Sequence, residues 1–365
     1  SSDILKTYAA LVIPQNMSEQ KFIAVSLRDG NTYYYTPQGT DADLKSGTQY
    51  TYNITVKHDR LEVVTAGTNV EWGREKTETV TSRIVAKSFT AGNLKNGDYY
   101  YSDGETSDGG LRKIYTDGST EMLNIAPVLT DQNGNERTCI GIVYWVGDPT
   151  KITPANEKAN ISNKDNLQGD KTLAKDHPGC THGLVVSLGE ESCYWQASTT
   201  SVQYWLNSNH SGEFLSVESG FKASDPLNNI QGYNNTKAIE AFNESSDNSG
   251  SQVYVVQKVV KYREKVPAPT ASSGWYVPSE KELTLLCGED VDNIYTNNSG
   301  GTDNHDLINK KLELISSATT LSSSAYWSST ERSYDYAFSV YFNGGRVESS
   351  YKHNPSYRVR FSIAF

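Results

Sequence analysis

The stretch from Ala325 to Ser350, AYWSSTERSYDYAFSVYFNGGRVESS, decides how the second half of the chain is read. Ala337–Phe342 alternates weakly, Asn343-Gly344-Gly345 is a turn signal, and Arg346–Tyr351 reads as the returning strand. Glycine reaches positive φ without a Cβ clash, so the turn predicts a hairpin. The terminal Tyr357–Phe365 sets Val359, Phe361, Ile363 and Phe365 on one side. The stretch therefore predicts two or three antiparallel strands ending a domain. Its aromatics are first of all packing, with Trp327 and Trp275 assigned to the core.

Working upstream, Gly274–Gly288 predicts a helix. Ser279 and, three residues on, Glu282 form a capping box, and Leu283, Leu286 and Cys287 form its inner stripe. Asn304–Ser316 predicts a second helix facing inward with Leu307, Ile308, Leu312 and Ile315. Val253–Glu264 has apolar residues at helical spacing, and Ser198–Ser208 reads as a short helix. Gly97–Gly104, Cys139–Asp148 and His182–Glu190 read as strands. The Lys/Asn-rich stretch Pro149–Asp176 reads as a long surface loop.

The first 72 residues alternate as strands do, at Tyr8–Pro14, Phe22–Leu27, Asn31–Thr36, Thr48–Val56 and Arg60–Gly67. Asp29-Gly30 and His58-Asp59 supply turns. Strands without a helix imply an antiparallel sandwich. Gly73–Arg83 is polar, lacks periodicity and reads as a linker.

Composition narrows the function. A net charge of -10 repels phosphate backbones, which argues against a nucleic-acid partner. No run of apolar residues is long enough for a transmembrane helix. The 24 Tyr and 28 Gly suit a β-rich surface protein. A leader, and more of the chain with it, is expected to have been removed. Cys139, Cys180, Cys193 and Cys287 permit disulfides, Cys180–Cys193 foremost, but buried thiols are the favoured reading.

Two resemblances sharpen this. Leu11–Gln15 (LVIPQ), Tyr33–Val56 and Val70–Gly73 (VEWG) resemble the last part of a Bacteroides-type fimbrillin, the subunit of type V pili. That likeness implies a transthyretin-like sandwich, assembly by strand addition to other pilus subunits, and a cell-surface, fimbrial or outer-membrane location. A complete fimbrillin has two such sandwiches, and this chain has room for one, which the likeness leaves incomplete. GYNNTKAI (Gly232–Ile239), GWYVPSEKELTLL, AYWSSTE and the final strands resemble the C-type-lectin-like domain of the Fibrobacter succinogenes major paralogous family. Ser279, Glu282, Tyr326, Trp327, Glu331, Arg346 and Arg360 sit at its motif points. The expected organisation is mainly β with α+β: a fimbrillin-like sandwich at 1–73, a linker at 74–83 and a C-type-lectin-like domain at 84–365. The Glu-Pro-Asn or Gln-Pro-Asp triplet and the Trp-Asn-Asp of calcium-using lectins do not occur, and His353-Asn354-Pro355 has the wrong order. Sulfatase-activating enzymes share this general fold but use cysteines near the C-terminal strands, and none follows Cys287.

The expected binding residues are Tyr334, Tyr336, Tyr351, His353, Asn354 and Tyr357, loop aromatics and amides suited to gripping glycan or protein. His177, Cys180, His182 and Cys193 have zinc-ligand chemistry, and Asp131, Asn133, Asn135 and Glu136 have calcium-ligand chemistry. Both sets read better as solvated or packed residues and a plain hairpin. Ser102–Gly110 reads as a turn-rich loop. Ser328, Ser329 and Glu331 have hydrolase chemistry, but no Gly-x-Ser-x-Gly elbow frames them. No catalytic residue, metal or cofactor is expected.

Overall fold

The computed structural model describes residues 8, 10, 12–26, 32–46, 48–57, 60–68, 76–79, 82–86, 94–115, 120–125, 129–130, 136–158, 167–220, 228–294 and 301–365. The chain is α+β and divides into two compact units. The first comprises Ser1–Lys87 with Gly110–Ala126 and Asp131–Asn133, and the second holds the remainder.

The first unit opens with β1 (Ile23–Ser26) and β2 (Thr32–Tyr35), paired antiparallel with Ser26 opposite Thr32. That register suits the Asp29-Gly30 turn, which itself lies outside the described residues. β3 (Gln49–Lys57) and β4 (Arg60–Thr68) pair from Gln49–Thr68 to Lys57–Arg60, leaving two residues for the connection. Tyr35 is fully buried, with Phe22, Ile23, Val25, Tyr52 and Ile54 around it. Two segments depart from the sequence reading. Lys76–Thr79, inside the expected linker, is strand β5 on the edge of β4, and Ser82–Ala86 is β6. After β7 (Tyr99–Tyr101) and β8 (Thr106–Ser107) of the second unit, β9 (Gly110–Tyr115) and β10 (Thr120–Ile125) return to the first and pair with β6 in the order β10-β9-β6. Lys-Thr-Glu-Thr offers no apolar period, so an all-polar edge strand resembles a linker.

The second unit continues with β11 (Leu129–Thr130), β12 (Glu136–Arg137), β13 (Cys139–Val146), β14 (Gly183–Ser187) and β15 (Glu191–Ser192). It ends with β16 (Ala325–Glu331), β17 (Tyr336–Tyr341), β18 (Arg346–Tyr351), β19 (Arg358–Val359) and β20 (Ser362–Ala364). Two five-stranded sheets result, ordered β20-β14-β13-β7-β8 and β15-β19-β16-β17-β18. The Ala325–Ser350 stretch forms the antiparallel run β16-β17-β18, as its turn signal requires. The terminal strand is not continuous. β19 lies parallel to β16, and β20 then crosses to β14 in the other sheet.

Helices α1 (Pro154–Lys158), α2 (Lys171–Asp176), α3 (Val202–Asn209), α4 (Gly232–Glu244), α5 (Tyr254–Lys265), α6 (Glu280–Cys287) and α7 (Asp303–Leu312) complete the unit. The stretch Pro149–Asp176 thus carries α1 and α2 where a loop was expected, and Gly232–Ile239 is the start of α4 itself. The capping box is present, with Ser279 N–H donating to Glu282 at 2.7 Å. α6 is buried on every side, not only along Leu283, Leu286 and Cys287. Trp195, Trp275 and Trp327 are wholly buried. Each indole N–H donates to a main-chain carbonyl: Ser328, Val266 and Cys193 respectively. A buried indole N–H usually finds such a partner, and these three do.

Candidate binding face

The β17–β18 hairpin turns through Gly345, whose φ of 69° is the left-handed conformation that glycine tolerates. At its open end Tyr336 stands directly opposite Tyr351. Their rings meet edge-on at 5.9 Å, and the Tyr351 ring lies 4.9 Å from that of His353. Tyr334, Tyr336 and Tyr351 are each exposed. Tyr336, Tyr351 and His353 thus make a continuous aromatic strip.

The other expected residues do not join it as ring faces. Tyr357 packs its ring on buried Trp327 at 4.8 Å and shares a 2.5 Å hydroxyl–hydroxyl bond with Tyr341. That bond, then burial, pushes the Tyr341 phenol up to about 12. Asn354 Oδ1 accepts from the Ser356 amide and hydroxyl, so it is occupied in its own turn.

What holds the strip in place lies one residue behind it. Lys352 follows Tyr351 and points inward, fully buried, 2.6 Å from the equally buried Glu331 carboxylate. Its Nζ also donates to Gln196 and the Thr200 carbonyl and sits 4.8 Å above the Trp195 ring. Glu331 in turn accepts from the Ser201 hydroxyl and the Val202 and Gln203 amides, the N-terminus of α3. A carboxylate there satisfies donors that the helix leaves unpaired. Burial lowers the Lys352 pKa, and Glu331 opposes the shift. The motif glutamate therefore has a structural part, tying the start of α3 to Lys352. Glu190 plays a comparable part, accepting from Arg358 at 2.8 Å and the Tyr326 hydroxyl at 2.6 Å.

A shallow cavity of about 370 Å³ adjoins the 351–357 loop at Pro355 and is also lined by Cys193, Tyr194, Tyr254, Lys258 and Lys261. The sequence reading missed it. Its signal was the polar face of α5, where Tyr254, Gln257, Lys258 and Lys261 follow i, i+3, i+4, i+7 spacing.

The zinc-like set disperses. His177 bonds the Tyr233 hydroxyl at 3.1 Å, His182 stacks on Phe365, and Cys180 donates to the Ala271 carbonyl. Among the described residues no three His, Cys, Asp or Glu side chains could hold a metal ion. Asp131–Asn135 lie outside the described residues. All four cysteines are unbridged, and burial raises each thiol. Among the described residues no helix is long and apolar enough to cross a membrane.

The comparisons with known proteins concern both units. Residues 1–72 match the model of the family described as fimbrillin-like, so the likeness read from the first strands holds. The chain is 29% identical over 281 residues to the Bacteroides ovatus protein named "Putative fimbrium tip subunit Fim1C". That alignment takes in 74% of this chain and 46% of the relative, so the chain spans about half the relative's length. A crystal structure of a fimbrial protein from Bacteroides ovatus shares the fold with a TM-score of 0.53 at 21% identity, over 88% of this chain and 64% of that one.

Proposed function

We propose that the chain is a subunit of a cell-surface fimbrium, placed at or near its tip, that presents a binding face on its second unit. The observation carrying this is the fimbrillin-like match of residues 1–72, supported by the tip-subunit relative. The partners are other fimbrial subunits, joined by strand addition: main-chain hydrogen bonds of a donated strand complete a sheet. A transthyretin-like sandwich serves that joining, and a C-type-lectin-like domain serves contact with glycan or protein. The strip Tyr336–Tyr351–His353 supports the second role, because flat ring faces stack on the apolar side of a sugar. The role is adhesive rather than catalytic.

Immunogold labelling of producing cells with antibody against residues 84–365 tests this. Gold on sheared fimbriae is the expected result. Gold confined to outer-membrane vesicles, with none on fimbriae, overturns it. Glycan binding retained in that case favours the alternative, a free-standing surface glycan-binding module.

A further inference from the structure

A second buried lysine has no part in the binding face. Lys281 lies on α6 with none of its side chain exposed, 2.7 Å from the Asp290 carboxylate. Its Nζ donates to the Val291 carbonyl at 2.6 Å and stands 3.4 Å from Oδ1 of Asn156 on α1. Asn156 is itself buried, and its carboxamide is clamped from both sides by Asn228. Asn228 Nδ2 donates to Asn156 Oδ1 at 2.7 Å, and Asn156 Nδ2 donates to the Asn228 carbonyl at 2.7 Å. Asp290 is fixed by the Thr153 hydroxyl at 2.9 Å and the Ala155 amide at 3.2 Å. Lysine is rarely fully buried unless paired. Here it is paired beside an immobilised carboxamide whose oxygen is already polarised.

We infer that Lys281 and Asn156 form an intramolecular isopeptide bond, with Asp290 moving the protons. The carboxylate takes a proton from the ammonium, and the freed amine attacks Cγ of Asn156. The Asn228 N–H stabilises the oxygen of the tetrahedral intermediate, as an oxyanion-hole donor does. Asp290 returns its proton to the departing Nδ2 and then accepts one from the new amide nitrogen. One C–N bond forms, one breaks, and ammonia leaves; no oxidant or reductant takes part. Burial depresses the lysine pKa against the opposing charge of Asp290, which eases the first step. Holding the amine 3.4 Å from the carboxamide oxygen supplies proximity. The bond would staple α1 to α6 across 125 residues of sequence, a covalent brace under tension. The inference does not rest on the proposed function.

Intact-mass measurement of the full chain, followed by tryptic mapping, decides it. The expected result is a mass one ammonia below that of the linear sequence. A branched peptide should join the Asn156 and Lys281 segments, and it should vanish in Lys281→Arg and in Asp290→Asn. Folded wild-type protein, checked by tryptophan fluorescence, that has the linear mass and unbranched peptides overturns the proposal. Ammonia loss without a branched peptide overturns it as well. The wild-type result stands even if a variant fails to fold.

Discussion

The two ends of the Ala325–Tyr351 region have opposite fates. Ala325–Glu331 is buried at every residue, whereas Tyr334, Tyr336 and Tyr351 stand in solvent. The first end carries the motif that makes the sequence recognisable. Its residues hold the interior together: Trp327 fills space, and Glu331 joins α3 to Lys352. The second end carries exposed tyrosines, the surface proposed for contact with a partner. The residues that announce this fold are therefore its fasteners. The side chains proposed for recognition have neighbours in sequence that are anchored.

The largest expected break comes from Glu331→Ala. It leaves Lys352 charged and unpaired in the interior and strips acceptors from the start of α3. Removing one partner of a buried pair costs about 3–5 kcal/mol. Urea unfolding should show a loss in that range. A loss under about 1 kcal/mol would mean that Glu331 belongs with the outer face after all.

Next in size is a pH effect at Glu280, one position before Lys281. Its carboxyl is wholly buried, and neither oxygen has a partner in hydrogen-bond geometry. Burial drives its pKa up to about 8, against the pull of the Thr330 and Ser328 hydroxyls beside it. The folded state then holds a proton that the unfolded chain releases near its ordinary value of 4.5. Stability must fall as pH rises from about 5 to about 8, by on the order of 1 kcal/mol per pH unit for this group. Glu280→Gln should flatten that slope, measured by urea unfolding at each pH. Asp170, raised by burial to about 7, leaves a residual slope of the same sign. Identical slopes in variant and wild type would contradict the assignment.

Much of the interior was legible because its signals are local. Ser279 and Glu282 are three residues apart, so the cap on α6 could be read from spacing. The Asn-Gly-Gly turn fixed the β17–β18 pairing in the same way. The burial of Lys281 and Lys352 was not legible, since their partners Asp290 and Glu331 come from other elements and lysine favours solvent. Nor was the crossing between β19 and β20, because unbroken alternation from Val359 to Phe365 looks like one strand. Tyr351 and Tyr357 show the limit most plainly. They are the same residue six positions apart, one exposed and one stacked on Trp327. Their composition is identical, and only the third dimension separates them.

A smaller effect tests how tightly the interior is drawn. Gly232 opens α4 with its amide 2.9 Å from Glu282 Oε2, and a Cβ there would sit 2.4 Å from that oxygen and 2.8 Å from the Val277 carbonyl. Gly232→Ala should cost about 1–3 kcal/mol in urea unfolding, the usual penalty for overpacking. A neutral result would show that α4 and α6 can part without loss.

The smallest expected change in stability sharpens the comparison most. Tyr351→Ala removes an exposed ring that meets the rings of Tyr336 and His353. Surface substitutions of this kind stay within about 0.5 kcal/mol. Binding should respond in the opposite way. If the strip is the recognition face, Tyr351→Ala lowers glycan-array or host-matrix binding while the unfolding curve stays in place. Tyr357→Ala should do the reverse, weakening the fold through lost packing on Trp327. Two tyrosines with exchanged phenotypes would separate fastener from contact surface. A Tyr351 variant that unfolds early and binds normally would return that ring to the scaffold.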